Sequence, residues 1–201
     1  MYHHNGYLEI ILGTMFSGKT SYLLHKMSIM TELELKVLYI NIDFDNRSDE
    51  NYSTHNPFLE NMDSKNKEKI SKFIKMIKVN NFSDIPVELI ETSDVIMIDE
   101  AQFFKGLYSF VVNLLEKNKN IFVGSLIADF KGKKFGEAID LIPICDNIIK
   151  LNSYCMECKK DKKYNFGIFS KKITDTISAG SNIDIGGSDK YIAVCRYHNK
   201  I

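Results

Sequence analysis

GTMFSGKT, residues 13–20, matches the pattern G-x-x-x-x-G-K-[ST]. In this pattern the glycines let successive backbone N–H groups turn inward around phosphate oxygens. An apolar run at 8–12 predicts a buried strand before the motif, and apolar residues at helical spacing in 21–30 predict a helix after it. The N-terminus of that helix adds partial positive charge. This context favours a phosphate-binding loop over a chance match in a glycine-containing turn.

The side chains of this loop indicate a nucleotide with Mg²⁺ as its ligand. Lys19 is placed to reach the β- and γ-phosphates, and the hydroxyl of Thr20 is placed to ligate the metal ion. The candidate nucleotide ligands are all eight loop residues, namely Gly13, Thr14, Met15, Phe16, Ser17, Gly18, Lys19 and Thr20.

Composition argues against several classes of protein. Lysine plus arginine and aspartate plus glutamate both number 26, so there is none of the basic excess that duplex-DNA binders usually carry. No apolar run approaches the ~20 residues of a membrane span, and the N-terminus does not follow the pattern of a secretory signal. We therefore expect a cytoplasmic protein that binds neither nucleic acid nor membrane. Its four cysteines are then thiols or metal ligands rather than disulfides.

Predicted strands and helices alternate as far as residue 151. Strands are predicted at 36–42, 79–82, 95–98, 121–126 and 147–151, and helices at 67–77, 83–92, 106–117 and 135–142. This alternation predicts an α/β fold of the P-loop (RecA-like) class, a mostly parallel sheet with flanking helices on both faces. The segment that follows, 152–201, contains three of the four cysteines and has no long periodic helix pattern. We expect a nucleotide-binding domain at 1–151 and a small zinc-ribbon domain with a long loop at 152–201.

Two groups of charged residues follow predicted strands. Asp99 and Glu100 come directly after the apolar run at 95–98. Asp99 fits the position that holds Mg²⁺, and Glu100 can accept a proton from an attacking hydroxyl or water. The alternative for Glu100 is a solvated acid at a strand end. Asp45 and Arg47 follow the second strand, at the sheet edge where ligands bind, and the alternative for them is a surface ion pair.

Two short pairs of potential metal ligands lie near the C-terminus. Cys155 and Cys158 form C-x₂-C, Cys195 and His198 form C-x₂-H, and 36 residues separate the pairs. This arrangement predicts a tetrahedral zinc site with no open position, hence a structural one; the alternative is unrelated reduced cysteines. Cys145 is left over and is predicted to be a small buried apolar residue. The glycine-rich loop at 178–189 is a candidate flap over the phosphate acceptor, or a plain surface loop.

The chain resembles the cellular type of thymidine kinase, the zinc-containing P-loop kind, through an ordered set of motifs. They are GTMFSGKT at 13–20, DNR at 45–47, THN at 54–56, DEAQFF at 99–104, FKGKKFG at 130–136, NSYCMEC at 152–158, IGGSDKY at 185–191 and CRYH at 195–198. Each motif alone is weak, but the ordered set is highly specific and spans nearly the whole chain.

The resemblance implies transfer of the γ-phosphoryl group of ATP to the 5′-hydroxyl of thymidine or deoxyuridine, in pyrimidine deoxynucleotide salvage. Glu100 would be the base, Lys19, Thr20 and Asp99 would hold ATP and Mg²⁺, and Asp45 and Arg47 would assist at the phosphoryl centre. The nucleoside pocket would comprise Met15, Phe103, Leu126, Phe130, Phe135, Asn165 and Tyr191, with Ile183, Ile185 and Gly186 on a zinc-anchored loop that the family calls a lasso. The resemblance also implies a homotetramer and feedback inhibition by dTTP.

The sequence departs from the family pattern in places that concern base selectivity. Ile127-Ala128 stands where the family has an Asp-Gly or Asp-Lys pair, and the segment from 57 to 78 is longer and richer in lysine. Residues 164–167 read YNFG where the family has Tyr-Thr-x-Arg. Asn165 is still able to hydrogen-bond the base. None of these departures touches the phosphate-binding residues.

Three other functions fit parts of the sequence. A zinc-ribbon, nucleic-acid-dependent ATPase would need a basic stripe with interleaved aromatic residues. A GTP-binding switch would need N-K-x-D, whereas residues 118–121 read NKNI. A degenerate regulatory homologue is disfavoured by the intact lysine, threonine and acid pair.

Overall fold

The computed structural model describes residues 6–43, 72–173 and 190–199. The strands are β1 (Tyr7–Gly13), β2 (Val37–Ile42), β3 (Ile74–Val79), β4 (Val95–Ile98), β5 (Asn120–Leu126), β6 (Asn147–Leu151), β7 (Ser153–Tyr154), β8 (Phe166–Gly167), β9 (Phe169–Lys172) and β10 (Tyr191–Val194). The helices are α1 (Lys19–Glu32), α2 (Val87–Thr92), α3 (Leu107–Glu116), α4 (Met156–Lys160) and α5 (Arg196–Asn199). Short 3₁₀ segments span Phe82–Asp84, Ala101–Phe103 and Ala138–Ile144. Outside the described residues lie the predicted site residues Asp45, Arg47, Ile183, Ile185 and Gly186, and the flap at 178–189.

Within the described part of the chain, six strands form one sheet in the order β3-β2-β4-β5-β1-β6. Every neighbouring pair is parallel, so the carboxyl ends of these strands lie at the same edge. β5 is hydrogen-bonded to β1 on one side and to β4 on the other. The glycine loop after β1 and the acid pair after β4 therefore lie at one edge. The predicted parallel sheet of an α/β fold is confirmed.

The central strands are buried on both faces, which explains their continuous apolar sequences. On one face of β1, Ile10 belongs to a core cluster that includes Val111 of α3. On the other face, Ile11 belongs to a cluster that includes Leu23 of α1. Full burial of such a side chain contributes about 1.5–3 kcal/mol. The glycine loop is thus held between a strand and a helix that are both anchored in the core.

The helix predicted at 67–77 is wrong from residue 74 onward, where the chain forms β3 at an edge of the sheet. Ile74 and Met76 pack against the core on the α1 face, and Ile77 and Val79 pack against the core on the opposite face. This alternation is that of a strand partly buried on both faces. Isoleucines at 74 and 77 also satisfy helical spacing, so the apolar pattern was ambiguous until β2 supplied a partner. The edge strand predicted at 79–82 is correspondingly misplaced.

Other local predictions are correct in part. The helix predicted at 83–92 begins only at Val87, after Pro86, and a separate 3₁₀ turn precedes it. The helix predicted at 135–142 is a 3₁₀ segment at Ala138–Ile144 that contains Pro143, which has no N–H to donate to a helix. Cys145 is half-buried rather than buried, and its thiol donates to the carbonyl of Ile142.

The C-terminal part contains two small antiparallel pairs, β7 with β8 and β9 with β10. The short helices α4 and α5 follow β7 and β10 respectively. We call the described residues 152–173 and 190–199 the C-terminal module. Among the described residues, no helix combines the length and apolar character that crossing a membrane requires.

A buried carboxylate ties β1 to its surroundings. Glu9 is 1% exposed and accepts hydrogen bonds from the hydroxyls of Tyr7 and Tyr22 and from the amide of Asn147, each at 2.9 Å. The ammonium group of Lys26 lies 3.4 Å from it. Burial alone would raise the pKa of Glu9, but the hydrogen bonds and the Lys26 charge lower it overall.

We expect this carboxylate to make the stability of the fold pH-dependent. A carboxyl group whose pKa is lower in the folded chain stabilises the fold above its ordinary pKa of 4.5, and this stabilisation is lost as the pH falls through the lowered value. Urea unfolding between pH 7 and pH 3 should therefore show a smaller acid-induced loss of unfolding free energy in Glu9→Gln than in the unaltered chain. The control is Glu116→Gln, at an exposed position of α3. Equal acid-induced losses in the Glu9 variant and the unaltered chain would contradict the prediction.

Candidate active site

The glycine loop turns tightly between β1 and α1. Gly18, which precedes α1, has φ 88°, and Phe16 has φ 61°, so two residues of the loop are left-handed. Gly13 is required for a different reason, because an added Cβ would lie 2.2 Å from Ser17 Oγ and 2.9 Å from the carbonyl oxygen of Leu151. The backbone at position 13 therefore packs closely against Ser17 of the same loop and against the end of β6, with no space for a side chain.

Two side chains of the loop fit an anionic ligand. The Lys19 side chain is buried, and its Nζ donates to the carbonyl of Thr14 across the loop at 3.0 Å. Burial lowers the pKa of Lys19, and the charges of Glu100 and Asp99 oppose that shift. Among the described residues, Ser17 Oγ is the buried side-chain polar atom without a hydrogen-bond partner. An unsatisfied buried hydroxyl costs about 1–3 kcal/mol, so this atom fits a ligand that supplies an acceptor, such as a phosphate oxygen.

Asp99 is the point at which three elements meet. Its Oδ2 accepts hydrogen bonds from the hydroxyls of Thr20 on α1 and Tyr39 on β2, at 2.8 and 2.7 Å, and its Oδ1 accepts from the backbone N–H of Glu100 at 2.9 Å. The side chain is 1% exposed. Burial, reinforced by Asp99, raises the pKa of Tyr39, so this hydroxyl stays protonated as a donor. A buried carboxylate beside a threonine hydroxyl is an oxygen donor set that Mg²⁺ accepts.

Glu100 has an unusual backbone and an unusual acidity. Its φ of 51° and ψ of 38° lie in the left-handed region, which non-glycine residues adopt at an energetic cost. Burial and the adjacent charge of Asp99 raise the pKa of its carboxyl group, while Lys19 and the amide of Gln102 act in the opposite direction. A carboxylate of raised pKa is a better proton acceptor than an exposed one.

Cys155, Cys158, Cys195 and His198 come together as the spacing predicted. Their four ligand atoms lie within 4.8 Å of one another, and the sulfurs of Cys158 and Cys195 are 3.7 Å apart. Tetrahedral zinc with Zn–S bonds of about 2.3 Å needs sulfur atoms about 3.8 Å apart, so the cluster fits this metal. Burial would raise the pKa of Cys155, but hydrogen bonds from the backbone N–H groups of Cys158 and Cys195 and from neighbouring side chains lower it to about 6. The thiolate form that binds metal is thus accessible near neutral pH.

The C-terminal module contacts the glycine loop directly. The hydroxyl of Thr14 donates to the carbonyl of Gly167 at 3.1 Å, and the backbone N–H of Met15 donates to Ser170 Oγ at 3.1 Å. An added Cβ on Gly167 would lie 2.9 Å from the Cβ of Ala193, so β8, β10 and the loop approach closely. Two hydrogen bonds therefore join the glycine loop to the module that carries the Cys/His cluster.

A sequence model of a protein family, described as thymidine kinase, matches residues 6–199. The chain belongs to the thymidine kinase family. It is 33% identical to the thymidine kinase of Sheeppox virus (strain KS-1), over 95% of each chain. It is 34% identical to thymidine kinase 1 of Dictyostelium discoideum, over 95% of this chain and 76% of the relative. It is 29% identical to the cytosolic thymidine kinase of Homo sapiens, over 95% of this chain and 72% of the relative.

Aromatic rings contact one another among the residues that the resemblance to thymidine kinases assigns to a nucleoside pocket. The rings of Phe103 and Phe135 meet edge to face with centroids 5.3 Å apart, and the rings of Phe130 and Tyr191 lie 6.4 Å apart. Leu126 ends β5, at the same sheet edge as the glycine loop. The structure thus pairs four of the predicted pocket residues through two ring contacts.

Asn165, which the thymidine kinase resemblance assigns to the nucleoside pocket, contacts the Cys/His cluster in this structure. The side-chain amide of Asn165 donates to Cys158 Sγ at 3.2 Å, and its backbone carbonyl oxygen accepts from the backbone N–H of Cys155 at 2.8 Å. Both polar groups therefore serve the Cys/His cluster. In this part of the chain Gly167 and Ser170 contact the glycine loop, and sequence reasoning missed both contacts.

Two further residues of this thymidine kinase family member were also missed. Tyr39 and Gln102 contact Asp99 and Glu100 respectively. Tyr39 lies in an apolar strand and gave no signal of its own. Gln102 stands inside the DEAQFF motif, two residues after Glu100, and that position was the available signal.

Proposed function

We propose that the chain is an ATP-dependent thymidine kinase that phosphorylates the 5′-hydroxyl of thymidine or deoxyuridine, in pyrimidine deoxynucleotide salvage. One observation carries the proposal: Lys19, Thr20, Asp99 and Glu100 converge at one edge of the sheet, where phosphate, metal ion and proton acceptor are all needed. Family membership supports the choice of thymidine as acceptor.

The glycine loop would hold ATP. Backbone N–H groups of Gly13–Thr20 and the Ser17 hydroxyl suit phosphate oxygens, and Lys19 offsets their charge. Thr20 and Asp99 would hold Mg²⁺, which would neutralise part of the charge on the phosphates. Their side chains already lie in hydrogen-bond contact, so little rearrangement is needed to offer two oxygens to one cation.

Glu100 would act as the general base. As the 5′-oxygen forms its bond to the γ-phosphorus and the bond to the β,γ-bridging oxygen breaks, the hydroxyl proton passes to Glu100 and ADP leaves. Its raised pKa favours this transfer. Asp45 and Arg47, which lie outside the described residues, would assist at the phosphoryl centre.

The nucleoside would lie against the aromatic pairs at the edge of the sheet. The proposed pocket comprises Met15, Phe103, Leu126, Phe130, Phe135 and Tyr191, together with Ile183, Ile185 and Gly186 from the loop outside the described residues. Zinc at Cys155, Cys158, Cys195 and His198 would be structural, because four protein ligands leave no open position. We divide the chain accordingly into a nucleotide domain at 1–151 and a zinc domain at 152–201.

We extend the proposal to the cytoplasm as location, a homotetramer as assembly and dTTP as feedback inhibitor, on the strength of the family resemblance alone. Light scattering tests the assembly, and a monomer would remove it. Inhibition by dTTP is tested by its effect on initial rates at a subsaturating ATP concentration.

The reaction itself is tested with labelled ATP and Mg²⁺ against a panel of nucleosides, with single-stranded DNA as a parallel addition. We expect thymidine monophosphate to form and DNA to have no effect. ATP hydrolysis that rises with DNA and ignores thymidine would instead support a zinc-ribbon, nucleic-acid-dependent ATPase.

A further inference from the structure

A buried amide connects the proposed base to the end of a central strand. Gln102 lies in the 3₁₀ segment after the acid pair and is 4% exposed. Its Nε2 donates to Glu100 Oε2, while its Oε1 accepts from the backbone N–H of Leu126 at 2.9 Å and lies 3.2 Å from the hydroxyl of Ser125. One side chain thus bridges Glu100 and the carboxyl end of β5.

The orientation of this amide follows from its partners. The N–H of Leu126 can only donate, so the amide oxygen must face it, and the NH₂ group of Gln102 must then face Glu100. An ionised carboxylate can only accept, which matches the NH₂ group. The donor therefore points at Glu100 in the ionised form that a base requires.

The backbone of Gln102 is also fixed. An added Cβ on Gly136, which has φ 70°, would lie 2.6 Å from both the Cα and the carbonyl oxygen of Gln102. The loop that carries Phe135 therefore rests directly on this residue. The N–H of Phe103 donates to the carbonyl of Glu100 and closes the turn between them. Gln102 cannot shift without moving neighbours on two sides.

We propose that Gln102 is the positioning residue for Glu100, an inference that rests on the proposed role of Glu100 as base. It fixes Oε2 relative to the end of β5, where Leu126 lines the proposed nucleoside pocket. The other carboxylate oxygen, Oε1, accepts no hydrogen bond from the described residues and is left for the 5′-hydroxyl. The distance between base and nucleoside is thus set through one amide.

The test separates positioning from support of the fold. Gln102→Met keeps the length of the side chain and removes both polar contacts, and Gln102→Asn keeps an acceptor for Leu126 but is one methylene too short to reach Glu100 as well. We expect each variant to lower kcat by about 10- to 100-fold, because a displacement of about 1 Å at a reacting group has effects of this size. KM for thymidine and Kd for ATP should stay within about threefold. The control is Val111→Ala in the core of α3, which lowers thermal stability and should leave kcat unchanged.

A double-mutant cycle with Glu100→Gln completes the test. If Gln102 acts through Glu100, adding Gln102→Met to Glu100→Gln causes no further loss of kcat. If the two losses multiply, or if both Gln102 variants keep normal kcat while Glu100→Gln does not, the positioning role is overturned and the proposed reaction stands. Near-normal kcat in Glu100→Gln itself would overturn the base role and the positioning role together.

Discussion

Glu100→Gln is expected to lower kcat for thymidine phosphorylation by about 10²-fold or more, because positioned proton transfer contributes about 10²–10⁴-fold. Glutamine keeps the size of the side chain but cannot take the proton of the 5′-hydroxyl. The left-handed backbone at this position strains glutamine as it strains glutamate, so folding should change little. Steady-state kinetics and calorimetric ATP binding are the measurements.

ATP affinity in this variant should stay within about threefold, since Lys19, Thr20 and Asp99 are untouched. Glu88→Gln, at an exposed position of α2, is the control and should behave like the unaltered chain. Turnover near the normal rate in Glu100→Gln would remove Glu100 from the base role.

Loss of the zinc proposed at the Cys/His cluster is expected to weaken thymidine binding, with KM for thymidine raised about 10-fold or more. Structural zinc contributes folding free energy directly, about 10–16 kcal/mol in zinc-finger peptides, so Cys195→Ser or chelation should loosen the C-terminal module. Because Thr14 and Met15 are hydrogen-bonded to that module, ATP affinity should fall as well. Metal content, thermal midpoint and both affinities are the measurements.

Cys145→Ser is the matched control for this experiment. Its thiol is half-buried, donates to the carbonyl of Ile142 and lies outside the cluster, so metal content and affinities should not change. A chelated protein that has lost its metal and keeps its affinity for thymidine would show that the module holds its shape without zinc.

The parts of the site that could be predicted are those encoded by short spacing. The glycine loop, the acid pair after β4 and the two Cys/His pairs each lie within a few residues, and all form as expected. The helix predicted at 67–77 was wrong from residue 74 because β3 is stabilised by its pairing with β2, a long-range contact that local periodicity does not contain.

The remaining parts depend on register between distant segments. Tyr39 contacts Asp99 because β2 lies beside β4 in one particular alignment, and Ser170 contacts Met15 across 155 positions of sequence. Neither contact leaves a local pattern. Asn165 was assigned to the nucleoside by its place in a motif, and only the fold reveals that its amide faces Cys158.

The contact between the glycine loop and the C-terminal module also determines when the loop can reach its final geometry during folding. Thr14 and its partner Gly167 are 153 positions apart, and among the described residues β1 pairs with β5 and β6, which lie far along the chain. Contacts between positions so far apart in sequence slow folding, because the entropy of a long loop is lost before the contact can stabilise the chain. Until β5 and β6 have been synthesised, the apolar strand β1 cannot form these pairs. Exposed apolar segments of this kind are what chaperones bind on nascent chains. The glycine loop therefore gains its contacts with Gly167 and Ser170 only after the C-terminal module has been synthesised.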